Sequence, residues 1–299
     1  MKYFDGVDYK SVDKTLKYFK LNPMNYYHDE PIIFHVYWYG DLNRKHICSI
    51  KSYLVTQNLS YSVLYIWLDH ENGYHDKNIN MIPKHENIKI MNYNPTEQSK
   101  NTPFFNKKFI HINKPKELKY RSDLARIMIL NNYGGLYFDF DIILLKDFSN
   151  LFKLEFCYQW SNIHQRGNNA ILRLKKSSQF CEKIMNQYIH EIEVVERPFT
   201  CDYNTHIFGK KIQIVCYPCP LFDPVWILQD KNTISQHQNI SHFDQFFKKT
   251  DTNVNIQNFF DGLIYAYHWH SRMNATIEKD SYFEKLENDI NSKLEKIIS

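Results

Sequence analysis

Asp139 and Asp141 stand two residues apart at the end of the apolar run Gly134-Gly-Leu-Tyr-Phe-Asp-Phe-Asp141. On an extended backbone, residues two apart point to the same side. Two carboxylates so placed repel each other, and burying them costs free energy. A divalent cation resolves both problems, and oxygen ligands that leave room for phosphate oxygens suit Mg²⁺ or Mn²⁺. Such a cation would neutralise a diphosphate leaving group. Upstream, Asp123 and Arg126 are three apart, so one helical face carries both. Taken alone they are a surface ion pair of little worth, and Asp139-Phe140-Asp141 alone is a solvated strand end. Taken together they are an acid and a base aimed into a cleft, Arg126 toward a phosphate or sugar hydroxyl and Asp123 as an acceptor of sugar hydroxyls.

The elements that must position these groups are legible around them. Pro31-Ile-Ile-Phe-His-Val-Tyr-Trp38 reads as a buried strand ending at Gly40, followed by a helix over about 42–57. Buried strands follow at Tyr61–Leu68 and Ile88–Met91. This alternation implies parallel strands and an α/β sheet. A lysine-rich, proline-broken loop covers Asn101–Lys119. Leu124, Ile127, Met128 and Leu130 recur at helical spacing and predict a helix over 118–132. Gly134-Gly135 ends it, because glycine takes the left-handed cap without a Cβ penalty. Leu136–Leu145 reads as one strand with an acidic interruption, at whose carboxyl end an open α/β sheet binds ligands. Further strands are expected at 155–160, 169–173, 212–217 and 263–269, with a helix over about 177–191. An amphipathic helix is expected at about 9–20. A charged one at about 278–298 has Phe283, Leu286, Ile290, Leu294 and Ile297 on one stripe, which fits the body of the protein or a second copy as a homodimer. With no repeat or low-complexity linker, one domain is expected: a helical extension over 1–23, a core over 24–276 and a terminal helix over 277–299.

The 299 residues are 43% hydrophobic and 23% charged, with a formal net charge of +4. That excludes a disordered chain and lacks the concentrated basic field of a nucleic-acid binder. A small positive excess suits an anionic small molecule. Met1–Asp13 has no apolar leader core, and no run of about 18 apolar residues exists to span a membrane. A cytoplasmic protein is therefore expected, with the sequons at Asn58, Asn239 and Asn274 unused and the six cysteines reduced. Cys216-Tyr-Pro-Cys219 has no second pair to complete a four-ligand zinc site.

Tyr120–Asp141 resembles the sugar-binding region of the DXD glycosyltransferases, specifically glycosyltransferase family 32 and the related clostridial glucosylating toxins. The shared pattern reads here as Ser122-Asp123, Arg126, Gly134-Gly135, Tyr137 and Asp139-Phe140-Asp141. Phe34-His-Val-Tyr-Trp-Tyr-Gly40 is similar to the family's opening strand, whose tryptophan stacks on uracil. That position is Trp38, with His35 and Tyr37 beside it. Ala266-Tyr-His-Trp-His-Ser271 is similar to the closing segment, in which a histidine is the third protein ligand of the metal. His268 matches best and His270 could substitute, while Ser271 would meet a phosphate. Arg166-Gly-Asn-Asn-Ala170 resembles a loop near the donor sugar, which brings in Asn168 and Asn169. Two departures stand out: Arg272-Met273 where relatives continue Ser-Trp, and Glu196-Arg-Pro-Phe-Thr200 where many carry Thr-Gly-Pro.

The resemblance implies a GT-A, Rossmann-like fold and a Mn²⁺- or Mg²⁺-dependent transferase. Its donor would be a UDP-sugar, its acceptor a glycan or glycoconjugate, and its outcome retention at the anomeric carbon. Asp123, Arg126 and Asp141 would be its catalytic residues. Ser122, Asp123, Arg126 and Asp139 would bind the donor, and Asp139, Asp141 and His268 or His270 would hold the metal. An effector that glycosylates a protein, or a silent sugar-nucleotide-binding protein, are the alternatives. A phosphatase with an Asp-x-Asp nucleophile site is disfavoured by Ile142-Ile143 and by the lack of a downstream Asp-Asp.

Overall fold

A computed structural model describes residues 7–24, 31–69, 78–111, 118–160, 166–193, 203–204, 214–229 and 238–298. Helix α1 (Val12–Leu21) is followed by β1 (Ile32–Trp38), α2 (Arg44–Thr56), β2 (Ser62–Asp69), β3 (Ile88–Tyr93) and the short α3 (Pro95–Ser99). Helix α4 (Leu118–Tyr133) feeds β4 (Gly135–Phe138), and β5 (Ile142–Leu144), β6 (Phe156–Gln159) and β7 (Arg166–Leu174) come next. The chain closes with α5 (Gln179–Glu193), β8 (Tyr203–Asn204), β9 (Val215–Tyr217), α6 (Val225–Leu228), β10 (Ala266–His268) and α7 (Tyr282–Ile298).

The main sheet has the order β3-β2-β1-β4-β7-β6-β9, with β8 alongside β7. The first four strands are mutually parallel, β7 is antiparallel to β4 and β6, and β9 is parallel to β6. This is the α/β mixed sheet expected of the sequence. Period-two alternation sends successive side chains to opposite faces. Phe34 and Val36 of β1 join the core beside α1, α2 and α7, whereas Tyr37 joins the core beside α4 and α5. The α7 stripe is buried at Phe283, Leu286, Ile290 and Leu294. It packs on α2, where Arg44 pairs with Glu287. Ile297, expected on the same stripe, is 43% exposed. Among the described residues, no helix is long and apolar enough to cross a membrane.

Helix starts follow ordinary capping rules. Asn43 accepts from the backbone N–H of Lys45 and His46, while His46 Nδ1 accepts from the Asn43 N–H at 2.8 Å. At the other end of the architecture, the turn from α4 into β4 needs both of its glycines. Gly134 and Gly135 have φ of +67° and +102°, and a Cβ on Gly135 would lie 2.1 Å from the Ile33 carbonyl oxygen. The glycine pair lets β4 close on β1, with Phe34 beside Leu136 and His35 beside Tyr137.

The expected strand Leu136–Leu145 is two strands in two sheets. Asp139 extends the β4 pairing through its N–H to the Ala170 carbonyl at 2.9 Å, and the chain then turns at Phe140 and Asp141. Beyond the turn β5 pairs antiparallel with β10, with Ile142 beside His268. Asp139 and Asp141 thus flank a turn and do not alternate along one strand. The segment 166–170, expected as a loop, is part of β7. Glu196–Thr200, Cys201, residues 212–213 and the middle of the 101–119 loop lie outside the described residues.

Replacing Gly135 with alanine forces an L side chain into positive φ and against backbone. It should destabilise by about 2–3 kcal/mol, read as a lowered urea midpoint at unchanged m-value.

Candidate active site

A cleft of about 460 Å³ opens where β1 and β4 end. Tyr37, Trp38 and Tyr39 line one side, with Ser122, Asp123 and Arg126 from α4. The β4–β5 turn supplies Asp139, Phe140 and Asp141, β7 supplies Asn168 and Asn169, and the segment after β10 supplies His270 and Ser271. His268 and Trp160 complete the wall.

Arg126 ties the helix to the strand end. Its Nη1 pairs with Asp123 Oδ1 at 3.0 Å, and its Nη2 donates to Asp139 Oδ1 at 2.6 Å. The guanidinium lies 4.6 Å from the centre of the Tyr137 ring. Asn169 Nδ2 donates to Asp123 Oδ1 at 2.9 Å, and Asn168 Oδ1 accepts from the Ala170 N–H at 2.8 Å. Burial pushes Asp139 above the usual carboxyl range, Arg126 opposes the rise and Asp141 adds to it.

Asp141 is held from the other side. His268 Nε2 is 3.2 Å from its Oδ1, and the Ser271 N–H donates to its Oδ2 at 2.6 Å. Burial would raise this carboxyl, but His268 and the Ser271 N–H outweigh burial and hold it well below the usual range. The same Coulombic pairing, with Asp223 added, overcomes burial at His268 and pushes that imidazole up to about 10. Asp141 and His268 are in contact, and Asp139 lines the same cleft. Two carboxylates and an imidazole are a donor set of oxygens and one nitrogen whose chemistry suits Mn²⁺ or Mg²⁺. His268, and not His270, is the histidine against Asp141. His270 Nε2 is instead 2.6 Å from Asp223 Oδ2. Among the described residues, Asp223, His268 and His270 form a cluster whose candidate ligand atoms all lie within 4.8 Å.

Two expected donor contacts look different in place. His35 is fully buried and lies outside the cleft wall. Trp67 Nε1–H donates to its Nδ1 at 3.1 Å, and its Nε2–H donates to the Gly134 carbonyl at 2.8 Å. Burial pulls its pKa down to about 4, so it is a neutral core histidine that braces the Gly134 turn. Tyr37 reaches the wall, but its hydroxyl donates to Asp69. Asp69 also takes Arg121 Nε at 2.6 Å and Nη2 at 2.8 Å, in a site where both residues are 1% exposed. Trp38 stays partly exposed at the rim, with its Nε1–H on the Asp41 carbonyl at 3.2 Å. Sequence reasoning gave Asp69, Arg121 and Asp223 no role. An acid ending an apolar strand, an arginine next to Ser122, and an acid between Phe222 and Pro224 were the available signs.

Residues 44–157 match the protein family described as "Glycosyltransferase sugar-binding region containing DXD motif". This stretch is a glycosyltransferase region of the DXD type. By that match the chain's enzyme class is glycosyltransferase. No curated protein matches the chain significantly. Among solved structures it is similar to the PaToxG glycosyltransferase at 20% identity, covering 67% of this chain and 76% of that one with a TM-score of 0.45. It is similar to the galactosyltransferase LgtC, solved with donor and acceptor sugar analogs, at 13% identity over 86% of this chain and 95% of that one, TM-score 0.48. It is similar to GlyE of Streptococcus pneumoniae TIGR4 at 13% identity over 90% of this chain and 64% of that one, TM-score 0.49. Likeness this distant transfers no substrate and no residue role.

Asp69→Asn removes the charge from a buried ion pair and leaves the Arg121 guanidinium against a neutral amide. Breaking such a pair costs about 3–5 kcal/mol, which equilibrium urea unfolding of the variant should register.

Proposed function

We propose that the chain moves a sugar from a UDP-sugar to a hydroxyl of a glycan or glycoconjugate, using Mn²⁺ or Mg²⁺ and retaining the anomeric configuration. The observation that carries this reading is one cleft holding Trp38, the Asp123–Arg126 pair, and the Asp139–Asp141–His268 set. A partly exposed indole at the rim suits the face of a nucleobase, since aromatic stacking needs only a π-face. Asp139, Asp141 and His268 would hold the cation, which supplies Lewis-acid neutralisation of the diphosphate.

The chain's own groups fix the rest. Arg126 is braced at two carboxylates and over Tyr137, so its geometry is set before any ligand arrives. Preorganised charge of this kind needs no rearrangement during reaction. Asp123 is oriented by Arg126 and Asn169, with its acceptor capacity directed to the cleft that sugar hydroxyls would enter. Asp123, Asp139 and Asp141 each already face a cation or an N–H donor. That supports a leaving phosphate oxygen, and not a carboxylate, as the group that takes the acceptor hydroxyl's proton.

Calorimetric titration of UDP in Mn²⁺ and in EDTA tests the donor site. Wild type should bind UDP tightly only with the metal, and Asp141→Ala should lose that metal-dependent part. Absence of UDP binding under every condition would remove the UDP assignment. Arg126→Ala should lower kcat for UDP-sugar turnover by roughly 10²–10³-fold, and a loss under threefold would deny it a role in stabilising charge. The product from a UDP-α-sugar should show an α-linkage by NMR, and a β-linkage would sink retention.

A further inference from the structure

Asp223 is a carboxylate outside the cleft wall, and nothing in the proposed transfer needs it there. Its side chain is fully buried. Its own backbone is pinned, since its N–H donates to the Cys219 carbonyl at 2.7 Å and its carbonyl accepts from Cys219 Sγ at 3.0 Å. Desolvating a carboxylate costs several kcal/mol unless partners compensate. Here the partners are two histidines and a tyrosine. Asp223 Oδ2 lies 2.6 Å from His270 Nε2, 3.5 Å from His268 Nδ1 and 3.4 Å from the Tyr158 hydroxyl. Asp223 Oδ1 has no hydrogen-bond partner among the described residues.

His268 is held at both of its nitrogens. Nε2 faces Asp141 Oδ1 at 3.2 Å, and Nδ1 faces the Tyr158 hydroxyl at 2.9 Å with Asp223 just beyond. Which nitrogen of an imidazole carries the proton is set by the partner of the other nitrogen. A Tyr158 hydroxyl that donates to Asp223 keeps a lone pair for an Nδ1–H. The direct contact and the tyrosine route therefore both keep a proton on Nδ1, so that Nε2, the nitrogen facing Asp141, is the one whose lone pair a metal would take. His270 stacks on His268 with ring centres 3.7 Å apart, and is wedged by Phe243 at 4.1 Å and Trp226 at 5.0 Å. Its bond to Asp223 stops the stacked pair from rotating.

The trio Asp223, His268 and His270 could instead be a metal site of its own. Two ligands about 2.0–2.1 Å from one metal at a tetrahedral angle stand roughly 3.3 Å apart. The 2.6 Å between Asp223 and His270 is a charge-assisted hydrogen bond and leaves no room for that.

We propose that Asp223 is the positioning carboxylate of this site: from beneath, it holds the His268 tautomer and ring angle that turn Nε2 toward Asp141. The proposal rests on the metal-dependent reading above. Outer carboxylates on ligating histidines do this elsewhere, and losing one costs about 10–100-fold in metal affinity or activity.

The test measures Mn²⁺ dissociation constants on the full chain by electron paramagnetic resonance, for wild type and Asp223→Asn, with melting temperature and metal-free UDP binding alongside. The expected result is Mn²⁺ binding weakened about 10–100-fold, with little change in the other two readouts. Equal Mn²⁺ affinity in the two proteins overturns the positioning role and leaves the proposed function standing. A wild type that binds no Mn²⁺ overturns both. Should Asp223→Asn fail to fold, nitrogen-15 NMR of the wild type with Mg²⁺ decides, the His268 signals being assigned by their loss in His268→Gln. A protonated Nδ1 with a proton-free Nε2 supports the proposal, and any other protonation pattern overturns it.

Discussion

Four carboxylates from three separate parts of the chain are buried or half-buried around one cleft: Asp123 on α4, Asp139 and Asp141 in the β4–β5 turn, and Asp223 before α6. Like charges that close repel, and each would be costly to desolvate alone. The structure answers with an interleaved set of cations. Arg126 joins Asp123 to Asp139, and His268 joins Asp141 to Asp223, which His270 also engages. Charge balance therefore demands that α4, the β4–β5 turn, the segment before α6 and β10 all arrive together. Much of the rest of the fold can be read as what delivers them. The Gly134-Gly135 turn sends α4 into β4, the small β5–β10 pair carries His268 to Asp141, and the β4–β7 pairing brings Asn169 to Asp123.

That dependence also explains which parts were legible in the sequence. Strands β1 and β2 and helices α2, α4 and α7 were readable because their cues are local: unbroken apolar runs, helical spacing, glycine stops. The Asp-x-Asp and the Asp123–Arg126 spacing were readable for the same reason. The break inside Leu136–Leu145 was not. Ten mostly apolar residues look like one strand, and only the long-range partners of each half, β7 for one and β10 for the other, separate them. His35 failed in the opposite direction. It sits beside Trp38 in a motif-like strand, yet period-two alternation turns it to the other face, under Trp67. Asp69, Arg121 and Asp223 escaped because a lone acid or base gains meaning only from its partner, and these partners lie 52 residues apart for Arg121 and Asp69, and 47 for Asp223 and His270.

The segment after β10 shows how tightly the site and the backbone are coupled. His270 and Ser271 have φ of 51° and 56°, a left-handed conformation taken by two successive non-glycine residues. Each costs about 1–2 kcal/mol. Two compensations are visible. The Ser271 N–H, aimed by that backbone, donates to the Asp141 carboxylate, and hydrogen bonds to charged groups contribute about 1.5–3 kcal/mol. Just beyond, the ammonium of Lys45 on α2 donates to the carbonyls of Arg272, Met273 and Ala275 and lies 4.0 Å from the centre of the Phe247 ring. Lys45 is only 3% exposed, so those carbonyls are its solvent. The strained turn persists because both of its ends are tethered to charge. The tether at Asp141 works in two directions: the bond that offsets the strain in the loop also fixes the orientation of the carboxylate. Asp141 is thereby aimed by backbone that α2 holds in place, and a change at Lys45 would reach the cleft without touching any residue that lines its acidic centre.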